Sequence, residues 1–128
     1  MAAKVTFDST LCAVISRSEP DITRDSMSET GREIAAQLAA HDCSRLLVDM
    51  KNFRMNIAVE DTTIIMDRLM NSLHGQLSIA IVINDGLRAH FDHIADYLQA
   101  GMIDVEEFTD TQSAADWLTQ QDSGRASA

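Results

Sequence analysis

Three cations stand where two candidate strands end. Lys51 and Arg54 follow one apolar stretch of the sequence, and Arg88 follows another. Because the carboxyl ends of parallel strands meet at one edge of a sheet, these side chains converge if the two strands are neighbours. Ammonium and guanidinium groups that converge can bind a carboxylate, a phosphate or an acidic partner segment. The plainer alternative is that the cations balance nearby carboxylates such as Asp49 and Asp85.

Methionines lie on either side of the first of these loops. Met50 and Met55 flank it, and further methionines follow in the predicted second helix. Unbranched thioether side chains form adaptable apolar surfaces, so an excess of them would line a cavity or an interface. Ordinary core filling is the plainer alternative. The predicted ligand-binding or partner-binding residues are Lys51, Asn52, Arg54, Met55, Met66, Met70 and Arg88.

Two other groupings have the residue types of a metal site. His90, His93 and Asp96 lie within two helical turns, a spacing that suits zinc, but no cysteine or Glu-x-x-His context accompanies them. A solvated helix face is the better interpretation. Asp49 and Asp85 are hard oxygen ligands at strand ends, yet no glycine-rich phosphate loop accompanies them. We therefore expect Asp49 to bond within its loop, Asp85 to cap a helix, and the chain to use no metal or cofactor.

No arrangement of residues predicts catalysis. Neither a Ser-His-Asp nor a Cys-His combination has supporting local sequence, so an enzymatic function is not expected.

The net charge of −10 bears on the possible partners, because nucleic acid and anionic lipid are bound chiefly through Lys and Arg. Nucleic acid is therefore an unfavourable partner for this chain.

The length and hydropathy predict one compact domain. A chain of 128 residues with 45% hydrophobic side chains can bury a substantial core, so we expect a single domain over residues 1–121 and a frayed tail over 122–128. The longest strongly apolar run, residues 79–83, is far shorter than the roughly 20 residues of a membrane-spanning helix. The first residues lack the apolar stretch of a secretory signal, which predicts a cytoplasmic protein. Cys12 and Cys43 are expected to be buried free thiols.

The first third of the chain predicts a β-hairpin and a long helix. Strands over residues 5–7 and 11–16 are joined by turn formers at residues 8–10, and Pro20 ends the hairpin. Apolar residues then recur at helical spacing from about residue 23 to residue 40. Ser26 and Glu29 form a capping-box pattern, while Thr23 is a rival helix start.

Strands and helices alternate in the rest of the chain. Strands are predicted over residues 46–50, 77–83 and 103–108, and helices over residues 57–73 and 87–98, with a last short helix that begins at Asp110. The last helix should place Ala114, Trp117 and Leu118 inward. The order β-β-α-β-α-β-α-β-α predicts an α/β domain with a mainly parallel mixed sheet and an antiparallel N-terminal hairpin edge.

Four stretches together resemble a known family. They read RLLVDM at 45–50, LSIAIV at 77–82, VEEFTD at 105–110 and AADWL at 114–118. In combination with the hairpin and the long helix, they resemble the STAS-like domains grouped with bacterial anti-sigma-factor antagonists, the SpoIIAA-like domains. The resemblance implies a non-enzymatic module for protein interaction or ligand sensing, related in fold to the CRAL-TRIO lipid-binding domains.

One departure from that pattern bears on regulation. Antagonists that act as phosphoswitches have a serine in the turn after the strand that matches residues 46–50, whereas this chain has Lys51 and Asn52 there. The nearest hydroxyls, Thr62 and Thr63, follow two acidic residues whose charges oppose an added phosphate. We therefore expect a module without the usual phosphorylatable serine that binds a protein partner or itself. The alternative is a carrier or sensor of a lipid or other amphipathic small molecule with an acidic head group.

Overall fold

The computed structural model describes residues 4–17, 21–22, 24–50, 54–55, 77–84, 92, 96 and 104–121. The strands are β1 (Lys4–Asp8), β2 (Ala13–Arg17), β3 (Asp21–Ile22), β4 (Arg45–Asp49), β5 (Arg54–Met55), β6 (Ser78–Val82) and β7 (Asp104–Phe108). The two helices whose bounds lie within these residues are α1 (Arg24–Ala40) and α2 (Thr111–Thr119). Two isolated described residues, Asp92 and Asp96, are also helical, inside the predicted helix 87–98.

Five strands form one sheet in the order β1-β2-β4-β6-β7. The hairpin strands β1 and β2 are antiparallel, and each of the other neighbouring pairs is parallel. The predicted mainly parallel sheet with an antiparallel N-terminal edge is therefore confirmed. The adjacency of the two apolar strands, on which the predicted convergence of loops depends, is also confirmed, since β4 pairs with β6 along their full length.

The hairpin turn is longer than predicted. The Asp8 carboxylate accepts hydrogen bonds from the backbone N–H groups of Thr10 (2.8 Å) and Leu11 (3.1 Å), which is the bonding of an Asx turn. Cys12 then has a φ of 50°, in the left-handed region. Because the turn takes in Leu11 and Cys12, β2 begins at Ala13 rather than at Leu11 as predicted.

Helix α1 begins earlier than its capping-box pattern indicates. The helix starts at Arg24, so Ser26 lies inside it, and of the two starts that the sequence left open the capping box at Ser26 is wrong. The other end is a Schellman motif, in which the Asp42 N–H donates to Ala39 O and the Cys43 N–H donates to Leu38 O. Asp42 has the left-handed φ of 48° that this motif requires.

The two helices cover opposite faces of the sheet. Helix α2 buries Ala114 and Leu118 against Ala13 of β2 and its neighbours on β4 and β6. Phe7 is the register partner of Val14, which points away from the face that holds Ala13. The Phe7 ring stacks on the imidazole of His41, the residue after α1, with ring centroids 4.0 Å apart. Helix α1 therefore lies on the face of the sheet opposite α2.

Strand β6 lies inside the sheet between β4 and β7, and all five of its residues are buried. A strand that is buried throughout is typical of parallel sheets, and the strand predicted over residues 77–83 is confirmed. The predicted last helix is confirmed in detail, because Asp110 is its N-cap and accepts a hydrogen bond from the Ser113 N–H. Trp117 packs against the same core cluster beside Phe108, with ring centroids 5.9 Å apart. In the part of the chain that is described, no helix is long and apolar enough to cross a membrane.

Two very short strands form a separate small sheet that the sequence does not predict. β3 and β5 are parallel, with Asp21 opposite Arg54 and Ile22 opposite Met55. Arg54 and Met55 thus belong to a strand and not to the polar loop predicted after residue 50. The chain leaving β2 and the chain leaving β4 therefore pair a second time, beyond the carboxyl ends of their parent strands. A two-residue strand has no periodicity to detect, which explains the error.

Candidate functional site

The carboxyl ends of four strands meet at one edge of the sheet. Arg17, Asp49, Val82 and Phe108 are successive register partners across β2, β4, β6 and β7. Because these strands are parallel, the connection leaving each of them begins at this edge. We call residues 17, 49–50, 82–84 and 108 the strand-end rim. In open α/β sheets this is the edge at which ligands bind.

The base of the rim is apolar and continues the sheet by one residue. The Met50 N–H donates to Val82 O (2.8 Å), and the Ile83 N–H donates to Phe108 O (2.9 Å). Met50 and Ile83 are both buried. Backbone hydrogen bonds of the sheet therefore fix Met50 and Ile83, the residues at which the connections after β4 and β6 begin. A ligand at this edge would contact an ordered surface.

One charge pair on the rim joins two neighbouring strands. Nε of Arg17 lies 3.8 Å from Oδ2 of Asp49, with 61% of the Arg17 side chain and 17% of the Asp49 side chain exposed. The sequence did not predict this ion pair, and the bonding of Asp49 within its own loop stays a prediction. An ion pair with such exposure contributes little to stability, in the range of about 0–1 kcal/mol. Arg17 therefore remains available to bind an anionic group.

The predicted binding residues are only partly within the described structure. Arg54 and Met55 lie in β5, after the carboxyl end of β4. The convergence of the cations stays a prediction, although the parallel pairing of β4 and β6 meets its structural condition. The other predicted binding residues, Lys51, Asn52, Met66, Met70 and Arg88, lie outside the described residues.

The candidate metal sites are only partly covered as well. Asp96 is helical and exposed, while His90, His93 and Asp85 lie outside the described residues. Across the described ranges, no group of three or more His, Cys, Asp or Glu residues is arranged to hold a metal ion. The described structure thus offers no positive support for a metal centre.

A buried hydroxyl lies on the face of the sheet opposite α2. Ser16 is 0% exposed, and among the described residues its Oγ has no hydrogen-bond partner. Its row across the sheet continues through Val48 and Ile81 to Glu107 on β7. A buried hydroxyl without a partner has lost its hydration without compensation, which destabilises the fold. Such a group is a candidate for binding a ligand on this face.

Arg45, at the opposite edge of the sheet, has a structural role that the sequence did not reveal. One guanidinium nitrogen, Nη1, donates to Leu11 O (2.8 Å) in the hairpin turn. A second guanidinium nitrogen, Nη2, donates to Thr119 O (3.4 Å) and to Gln121 O at the end of α2. One side chain thus joins three elements and satisfies carbonyls at a helix C-terminus, where a cation is favoured.

The comparisons with known proteins agree with this architecture. The sequence profile of the SpoIIAA-like family matches residues 14–119, from β2 to the last residue of α2. No curated protein and no solved structure matches the chain significantly. Domains of this family are generally binding modules that mediate protein interactions. The matched span covers most of the chain and includes the whole parallel part of the sheet, so the chain belongs to the SpoIIAA-like family of STAS-like domains.

Proposed function

We propose that this protein is a non-catalytic regulatory module that binds an acidic segment of a protein partner at the strand-end rim. The observation that carries the proposal is the parallel alignment of β2, β4, β6 and β7, which brings four chain exits to one edge. The membership of the chain in a family of binding modules supports an interaction function over catalysis.

The charge distribution supports an acidic partner segment at this edge. The chain has a net charge of −10, so most of its surface repels anions. Arg17 is the mostly exposed cation of the described rim, and its guanidinium can form a bidentate pair with a carboxylate. Lys51 and Arg88 follow β4 and β6 in the sequence, and the proposal adds both to the same surface. An acidic segment would thus be directed to this edge and repelled elsewhere.

The sequence that follows Met50 departs from the phosphoswitch antagonists that the chain resembles. Lys51 and Asn52 follow Met50 where those antagonists have a serine. We propose that binding is therefore controlled by the concentration of the partner or by a small molecule, and not by phosphorylation of this turn. Self-association through the same edge is the variant of this proposal in which the partner is a second copy.

Reversing the charge of Arg17 should abolish most partner binding. We expect Arg17→Glu to reduce capture of the partner from a lysate of the native host by about tenfold or more, since charge pairs at an interface control association. Capture would be measured by quantitative mass spectrometry, with light scattering to detect self-association. The free energy of unfolding should fall by only about 1 kcal/mol, because the variant loses an ion pair and gains a like charge beside Asp49 at a mostly exposed position.

Arg32 supplies the matched control for this experiment. It is an exposed arginine on α1, so Arg32→Glu makes the same change of charge away from the rim. The control variant should capture the partner as wild type does. Equal loss of capture in both variants would show that net charge, and not the rim, governs binding, and full capture by Arg17→Glu would refute the rim as the docking surface.

A second candidate function is suggested by Ser16. Its buried hydroxyl could donate a hydrogen bond to the acidic head group of a lipid or other amphipathic molecule held on the face opposite α2. A ligand would then supply the bonding partner that no described residue provides. In this case the protein is a carrier or sensor, and the ligand is enclosed between this face of the sheet and the layer that contains α1.

Ser16→Ala separates the two candidate functions. Without a ligand, the variant should raise the free energy of unfolding by about 1 kcal/mol, because it removes a buried unpaired hydroxyl. If the protein is a carrier, native mass spectrometry of protein from its own host should show a small molecule on wild type that Ser16→Ala has lost. Ser78→Ala, at a buried serine on the α2 face, is the control and should retain it. A wild-type mass without any adduct would contradict the carrier function.

A further inference from the structure

The two cysteines of the chain approach each other at the amino-terminal edge of the sheet. The Cys43 Sγ donates a hydrogen bond to the backbone oxygen of Cys12, with a distance of 3.1 Å. The two residues are 31 positions apart in the sequence. Both thiols are free, as predicted, but they are half-buried and not buried. This juxtaposition depends on the pairing of β2 with β4, which no local sequence pattern indicates.

The contact between the two cysteines places them within reach of a covalent bond. The register of β2 with β4 begins at Val14 opposite Leu46, so Cys12 and Cys43 lie just before neighbouring ends of two paired strands. Disulfides span Cα separations of about 4.4–6.8 Å. A thiol that lies 3.1 Å from the carbonyl oxygen of the other cysteine is compatible with a separation in that range.

The turns that carry the two cysteines are held by specific backbone bonds. Cys12 has a φ of 50° and follows the Asx turn of Asp8. Cys43 follows Asp42, whose φ is 48°, at the end of the Schellman motif. Left-handed backbone at residues other than glycine persists only where the surrounding structure enforces it. The two thiols are therefore presented at fixed positions.

The environments of the two sulfurs differ. The Cys12 Sγ donates to Ser9 O (3.6 Å) in an exposed bond. The Cys43 Sγ makes part-buried bonds, one of which it accepts from the Arg45 N–H (3.4 Å). These contacts are with backbone groups, so replacing one of them by a bond between the sulfurs leaves the apolar core intact. Cys12 is the more accessible of the two for a first reaction with a reagent from solution.

We propose that Cys12 and Cys43 form a redox-sensitive pair that closes to an intramolecular disulfide when it reacts with a low-molecular-weight disulfide. The Cys12 thiol loses its proton, and its sulfur attacks one sulfur of the reagent, forming a mixed disulfide and expelling one reagent thiol that takes up the proton. The Cys43 sulfur, deprotonated in turn, attacks the Cys12 sulfur and expels the second reagent thiol. Two protein thiols are oxidised, and one reagent disulfide is reduced to two thiols.

The cross-link would change the properties of this edge of the fold. It ties the hairpin turn to the connection between α1 and β4, next to the backbone of Arg45. Closing a loop between residues 12 and 43 reduces the freedom of the unfolded chain, so the oxidised protein should melt at a temperature higher by roughly 5–15 °C. The strand-end rim lies at the other end of the strands, so partner binding and the thiol pair can be tested separately.

The test uses the full chain and oxidised glutathione as the disulfide reagent. After incubation and acid quenching, intact mass spectrometry without reductant should show a monomer that has lost two hydrogens and carries no glutathione. Arg17, Arg24 and Arg32 separate the two cysteines, so a tryptic digest should yield one peptide pair joined through Cys12 and Cys43. Dithiothreitol should reverse both the mass change and the rise in melting temperature.

Single serine variants complete the experiment. In Cys12→Ser or Cys43→Ser, the remaining thiol has no neighbour to displace the glutathione, so the variant should retain one glutathione and show no such rise in melting temperature. Glutathione retained on both cysteines of wild type would overturn the proposal, as would disulfides only between two chains. The intact mass of oxidised wild type shows by itself whether the intramolecular disulfide forms, so the test does not depend on the stability of either variant.

Discussion

Replacing Arg45 with alanine should lower the free energy of unfolding by about 3 kcal/mol, since the substitution removes hydrogen bonds from a charged donor and leaves their acceptors without it. The guanidinium donates to Leu11 O, Thr119 O and Gln121 O. These carbonyls belong to the hairpin turn and to the end of α2, so one substitution loosens both from β4. The hydrogen bonds to Leu11 O and Gln121 O are partly buried, so water cannot fully replace the guanidinium as the donor to these carbonyls.

Urea unfolding followed by circular dichroism would measure this effect. Arg45→Lys keeps the charge but cannot donate from two nitrogens in a fixed fork, so it should recover less than half of the loss. Arg32→Ala, at an exposed position of α1, should change the free energy of unfolding by less than about 0.5 kcal/mol. If Arg45→Ala were as mild as Arg32→Ala, the junction of these three elements would not be a source of stability.

Because Arg45 lies far from the strand-end rim, its substitution should affect stability and not partner binding. Arg45 begins β4, and Asp49 of the rim ends it, so the two groups act at opposite ends of one strand. Arg45→Ala should therefore leave partner capture unchanged at temperatures at which the variant is folded. Arg17→Glu should show the reverse, with lost capture and a loss of stability of only about 1 kcal/mol. The two variants together would show that the rim is a surface for binding and that the other edge maintains the fold.

The parts of the fold that were predictable from the sequence are those with a long local signal. Strand β6 lies in a long apolar run, which is the strongest strand signal in the chain. The start of α2 at Asp110 was also predictable, because an aspartate before an apolar helical pattern is a strong N-cap signal. The alternation of strands and helices then predicted the parallel pairing of β4 and β6, since crossover connections favour it.

The missed features depend on contacts between residues distant in the sequence. Strands β3 and β5 have two residues each, so neither shows an alternating pattern. Arg17 meets Asp49 only through the register of β2 with β4, and the approach of Cys12 to Cys43 has the same origin. The capping box at Ser26 failed for a different reason, because a local pattern competed with a helix that begins at Arg24.

Leu118→Ala should produce the largest loss of stability of the substitutions considered, about 4 kcal/mol, because large-to-small changes in a core combine a transfer cost with the cost of a cavity. Leu118 is 0% exposed and anchors α2 on the sheet. Its neighbours in the core cluster include Ala13, Ala80 and Ala114. An alanine side chain has no rotamer that could move into the vacated space, so the cavity should persist and the cost should lie in the upper part of the usual range.

Conservative and exposed substitutions on the same helix give the comparison that this prediction needs. Leu118→Met nearly conserves volume and should cost less than about 1.5 kcal/mol, since a flexible thioether can fill the same space. Gln112→Ala lies on the exposed side of α2 and should change the free energy of unfolding by less than about 0.5 kcal/mol. A small effect of Leu118→Ala, close to that of Leu118→Met, would mean that α2 can sink toward the sheet and fill the cavity. Ala13 and Ala80, the two alanines of the sheet in this cluster, would then allow α2 to move closer and would not hold it at a fixed height.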